Sequence, residues 1–207
     1  MDDSIKRILI IISICLIYIL TLVGFFLNPS QDIAFSLIRL CALLGFVSMA
    51  VAVIMTPFAV QLYQLFGKTF VKLHHLFALL GLILITLHPV ILAIRVFNIL
   101  VFVPVFDEWF AFWALAGRPA LILIYIGVAA GFLRNQLKNS WKKIHALLYI
   151  ALFFGLIHGT LIGDSFQNPL IIVLFYVLFI AVVLAFAYKR YQIKKRQKKY
   201  TKKETSQ

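Results

Sequence analysis

Acidic residues are scarce in this chain. Seven Asp and Glu stand against twenty Lys and Arg among 207 residues, for a net charge of +13. None of the seven falls within an apolar run, so no carboxylate pair is placed for acid–base chemistry in an apolar interior. There are only two cysteines, Cys15 and Cys41, both inside apolar runs and far apart, which excludes a disulfide scaffold and any CxxC metal or redox motif. No GxGxxG or other phosphate-binding fingerprint occurs, and no Ser/His/Asp arrangement is visible. Charged residues of both signs make up only 13% of the chain, too few to clothe a soluble domain of this size.

What is abundant is apolar surface, at 63% of residues against the 45–50% usual in soluble domains. Six runs carry it: Ile8 to Leu27, Ile33 to Pro57, Leu73 to Phe97, Pro119 to Leu133, Ile144 to Ile162 and Pro169 to Tyr188. Each approaches the roughly 20 residues that cross the hydrocarbon core, the fourth being short. None alternates as a barrel strand would, so helices must satisfy the backbone in lipid. The first run is too long for a signal-peptide core and lacks a small-residue cleavage site. The expected fold is therefore all-α, an integral, multi-pass bundle of about six transmembrane helices in the cell membrane.

The positive residues set the orientation. Lys6, Arg7, Lys68, Lys72, Arg134, Lys138, Lys142 and Lys143 lie in alternate connections, and nine more cluster between Lys189 and Lys203. Asp32, Asp107, Glu108 and Asp164 occupy the other connections, with Arg118 as an exception. The positive-inside rule places both termini in the cytoplasm. The basic residues flank apolar runs rather than line a folded surface, so they point to the lipid bilayer and not to nucleic acid. Residues 1–190 read as one transmembrane domain and 191–207 as a basic cytoplasmic tail without regular structure. Between Asn98 and Gly117 lie Phe102, Phe106, Trp109, Phe110, Phe112 and Trp113, which suggest an outer interfacial belt or a docking surface for an external partner.

All five histidines fall in two of the six runs: His74, His75 and His88 in the third, His145 and His158 in the fifth. Ionisable side chains inside a membrane are costly and mark function. His74 and His88 are fourteen residues apart, nearly four helical turns, so they share a face about 21 Å apart along the axis. His145 and His158 are thirteen apart, one short of that repeat, which calls for bending or an irregularity near Gly155 or Gly159. Both helices run inside to outside, so the histidines match in depth as an inner and an outer pair. No Asp, Glu or Cys at those depths can complete a bare metal site. A haem iron needs only two axial ligands, and bis-histidine ligation suits electron transfer. Proton relay or transition-metal transport by the same histidines is the alternative function. Arg39, on the outer half of the second helix, would meet either a haem propionate or backbone carbonyls. Arg95, Lys72 and Lys142 are weaker anchors of the same kind.

Leu73-His74-His75, Gly81, Leu87-His88-Pro89, Trp141-Lys142-Lys143-Ile144-His145, Tyr149 and His158, together with Arg39, resemble the ferric reductase-like transmembrane domain over about residues 35 to 190. That family includes ferric reductases, the membrane half of NADPH oxidases, and the haem-binding subunit MsrQ. The resemblance implies haem b, ligated by His74 and His145 on the inner side and by His88 and His158 on the outer side, with His75 competing with His74 and with Arg39 close to haem. All four positions are filled, which implies two haems rather than one. Without a nucleotide fingerprint, a separate flavoprotein or a quinol would be the donor, and ferric iron or an external reductase the acceptor.

Overall fold

A computed structural model describes residues 2–67 and 70–204. Lys68 of the inner set, and residues 205–207 of the tail, lie outside the described residues. Helix accounts for most of the chain, and no strand forms among the described residues. The main elements are α1 (Asp3–Phe26), α2 (Ile33–Ile54), α3 (Ala59–Phe66), α4 (Phe70–Val96), α5 (Trp109–Ala114), α6 (Gly117–Phe132), α7 (Arg134–Leu137), α8 (Trp141–His145), α9 (Leu147–Ile162) and α10 (Pro169–Glu204). Five segments are long and apolar enough to cross a membrane: α1, α2 with α3, α4, α8 with α9, and α10. The sixth, α6, has 16 residues and spans about 24 Å. The chain is thus an all-α membrane protein. Its Lys/Arg-rich end is called inner and the opposite end outer.

Capping and turn chemistry set where the helices begin and end. Asp32 starts α2 by accepting from the Phe35 amide at 3.0 Å, as an N-cap carboxylate should. Its carboxylate also pairs with Arg95 at the far end of α4, joining the outer ends of both helices. That amide, with the guanidinium, holds the Asp32 carboxyl below its ordinary range. Helix α6 begins two residues before Pro119, which therefore sits in the first turn, where its missing N–H costs nothing.

The core centres on α2, which is mostly buried, whereas α4 is almost wholly unburied. Two antiparallel helix pairs dominate the packing, α2 with α4 and α6 with α9. Small residues let the first pair close. A Cβ on Gly81 would lie 2.7 Å from Met49 Cγ, 3.0 Å from the Met49 nitrogen and 3.1 Å from the Gly45 carbonyl oxygen. Because two of these atoms are backbone, the helices must part to accept a methyl group. Gly81→Ala is expected to cost about 1–3 kcal/mol and to lower the unfolding temperature in detergent. Gly155→Ala, whose Cβ would meet only the Phe46 ring at 3.7 Å, is the control that should leave it in place.

The basic tail differs from its sequence reading. α10 continues as one helix of 36 residues to Glu204, so 191–204 are helical instead of irregular. Lys, Arg and Gln are good helix formers, and a membrane-anchored helix supplies the nucleus that an isolated basic peptide lacks. At about 1.5 Å per residue α10 spans about 54 Å, well beyond the roughly 30 Å of hydrocarbon. Where its apolar part ends, Lys189 Nζ donates to the Thr56 carbonyl at 3.2 Å, tying α10 to the turn after α2.

Candidate functional site

Four histidines meet in two tiers. His74 on α4 faces His145 on α8, their ring centroids 6.4 Å apart, and His88 on α4 faces His158 on α9 at 6.3 Å. His75 lies beside His74, ring centroids 6.0 Å apart, and its side chain is exposed. The structure therefore brings His74 to the inner pair and leaves His75 outside it.

Every one of the four rings is held through the same atom. Nδ1 lies 3.0 Å from the Ala52 carbonyl oxygen for His74, 3.0 Å from Ile38 for His88, 2.8 Å from Gly127 for His145 and 2.7 Å from Ala114 for His158. A carbonyl can only accept, so each Nδ1 carries the proton and the lone pair of each neutral ring is on Nε2. This is how a protein orients an imidazole toward a metal while fixing its tautomer.

The acceptors repeat the spacing of the histidines. Ile38 and Ala52 are fourteen residues apart, like His74 and His88. Ala114 and Gly127 are thirteen apart, like His145 and His158. Antiparallel packing produces this match, since one step up α4 is one step down α2. Gly45 and Gly81 make their close approach midway between the two anchor points, which keeps that register tight. Ala114 ends α5, where carbonyls lack helical partners. Phe112 and Trp113 of the same short helix pack on Phe154, with centroids 6.0 and 5.6 Å away. Part of the outer aromatic segment thus holds the Ala114 carbonyl against His158. Trp109, Phe110 and Phe106 stay exposed.

The thirteen-residue spacing has a local cause. At 100° per residue, thirteen residues fall about 140° short of four full turns. The break is at Ala146, between α8 and α9, not at Gly155 or Gly159. Ala146 has φ −67° and ψ −13°, and its carbonyl accepts from Tyr149 at 3.1 Å, three residues on. Such a turn winds at about 120° per residue and recovers part of the missing rotation. On α4, Pro89 follows His88 directly and removes a backbone donor at that point.

Two glycines border the rings. A Cβ on Gly117 would lie 2.8 Å from His158 Cδ2 and 3.0 Å from Nε2, whereas one on Gly131 would lie 3.5 Å from His145 Nδ1. Between the tiers, the Thr86 hydroxyl donates to the Leu82 carbonyl at 2.7 Å and accepts from the Tyr125 hydroxyl at 2.8 Å, joining α4 to α6.

Arg39 and Arg95 have partners of their own. Arg39 donates through Nε to Ser165 Oγ at 2.9 Å and through a terminal nitrogen to the Asn28 carbonyl at 2.8 Å. Arg95 pairs with Asp32. Arg39 thus bonds one backbone carbonyl, as expected of a buried arginine, and one serine hydroxyl.

Among the described residues no group of three or more His, Cys, Asp and Glu converges on one point. Each tier offers two imidazoles only. No family model matches the chain, and no curated protein or solved structure matches it.

The separation of the paired rings can be compared with that of two imidazoles on one porphyrin iron. A metal–imidazole bond of about 2.0–2.1 Å, plus about 1.1 Å from that nitrogen to the ring centre, puts two axial imidazole centres about 6.2–6.4 Å apart. Both tiers have that separation. Two facing imidazoles per tier, with fixed tautomers and an apolar setting, are the donor set that a haem iron would accept.

Proposed function

We propose that this chain is a b-type cytochrome of the cell membrane, of the ferric reductase-like kind, which carries electrons from the inner to the outer face. His74 and His145 would hold one haem, and His88 and His158 a second. The observation that supports this most is the equal spacing of two imidazole pairs at 6.4 and 6.3 Å, each ring anchored through Nδ1. A bound haem would supply reversible one-electron chemistry, which side chains alone cannot.

The protein's contribution is placement. Carbonyls of α2, α5 and α6 keep the four rings from turning. Two imidazoles at each site would occupy both axial positions of a haem iron, which would favour electron transfer over oxygen activation. Tiers about 21 Å apart along α4 cover most of the roughly 30 Å hydrocarbon core. Electrons would come from a separate flavoprotein or a quinol at the inner face. There the basic extension of α10 presents positive charge to an acidic donor. The acceptor would be ferric iron or an external reductase.

A dithionite-reduced minus oxidised visible spectrum of the purified protein, with haem quantified per chain, tests the proposal. Two low-spin b-type haems per chain are expected. A chain that carries none after expression with ample haem would overturn it and leave proton or metal transport as the use of the histidines.

A further inference from the structure

Arg39 is the most deeply buried charged residue described, at 7% exposure. Its fork points two ways, to Ser165 Oγ and to the Asn28 carbonyl, and its guanidinium lies 5.3 Å from the centroid of the Phe25 ring. Ser165 is itself buried, at 4% exposure. The Asn28 side-chain amide donates to the Asp164 carbonyl at 2.9 Å, so α2, the α1–α2 connection and the turn after α9 close into a ring. Asn168 adds a further link from that turn to the Gly24 carbonyl at 3.1 Å.

This ring borders the outer histidines on both sides. The residue before Arg39 is Ile38, whose carbonyl anchors His88. Seven residues before Ser165, at the other end of the same contact, is His158. We propose that Arg39 is a positioning residue for the outer pair. It braces α2, which holds His88, against the turn that ends α9, which bears His158. It does this without touching either ring. A planar guanidinium suits the task because it holds two acceptors in fixed directions, which a lysine ammonium on a flexible stem does not. The consequence for haem rests on the proposed function; the bracing itself does not.

The test separates the two. In the full chain, in a Cys15→Ser, Cys41→Ala background, spin labels at Ile94→Cys and Ile162→Cys report the outer spacing of α4 and α9. Labels at Lys72→Cys and Lys143→Cys report the inner spacing. All four sites are exposed. Pulsed dipolar spectroscopy needs no haem. Arg39→Gln is expected to shift or broaden the outer distance by about 1–2 Å, the scale of helix shifts at packed interfaces, and to leave the inner one unchanged. Ser165→Ala should move it in the same direction by less, and Arg39→Lys should restore it in part. An unchanged outer distance, or equal change at both ends, overturns the inference. In haem-loaded protein, the midpoint potential of one haem of the two should move in Arg39→Gln. Absence of haem would defeat the proposed function while leaving the distance measurement to decide on Arg39.

Discussion

Gly117→Ala is expected to weaken haem binding at the outer tier and spare the inner one. A methyl group at this position would sit 2.8 Å from His158 Cδ2 and 3.0 Å from Nε2, inside van der Waals contact with the ring. Nδ1 of that ring is tied to Ala114, three residues earlier in the same segment, so the ring cannot swing aside without losing its anchor. Overpacking of this kind costs about 1–3 kcal/mol, a five- to roughly 150-fold loss in affinity. The control is Gly131→Ala, where the new methyl group makes ordinary contact with His145 at 3.5 Å and both haems should remain. Alanine is the better helix former by about 0.5–1 kcal/mol, so helix propensity cannot explain a loss. Haem per chain, read with the reduced spectrum, checks the pair. Equal haem content in the two variants would count against the outer tier as a haem site.

His74→Ala and His75→Ala should differ as sharply. His74 faces His145 and is anchored to Ala52, while His75 is exposed beside it. Removing His74 takes away one of the two proposed axial donors and leaves the Ala52 carbonyl without its imidazole, a further cost of about 1–3 kcal/mol. The expected result is one haem per chain for His74→Ala and two for His75→Ala. Redox titration should then show a single wave in the first and two in the second. One haem in His75→Ala would move the inner ligand one residue along α4.

Much of this arrangement is legible in the sequence, for definite physical reasons. Lipid forces apolar runs into helices, so composition alone marks the spans. The fourteen-residue interval puts His74 and His88 on one face because helical pitch is nearly constant. What stays hidden depends on backbone groups, which no residue type announces. Ile38, Ala52, Ala114 and Gly127 contribute only carbonyl oxygens, and nothing in their side chains singles them out. The overwound turn at Ala146 likewise has no glycine or proline to signal it, and the sequence directs attention to Gly155 and Gly159 instead. Arg39 could be recognised as a buried charge in need of a partner. That its partners would be Ser165 and the Asn28 carbonyl required the turn after α9 to fold back on α2. The helical extension of α10 was obscured by its charge, since a polar basic segment reads as unstructured until a long helix precedes it.

The matched intervals on paired helices carry one more implication. Histidine and anchor are counted off along opposite chain directions, as the two halves of a zip are. Exchanging one side chain alters one tooth. Adding or deleting a residue between Ile38 and Ala52, or between His74 and His88, changes the count on one side only. It turns everything beyond by about 100° and displaces it by about 1.5 Å. One tier would then lose its ring orientation however conservative the inserted residue. The constraint on these two segments is therefore on length more than on composition, and related chains could diverge widely in apolar side chains while keeping the interval of fourteen unchanged.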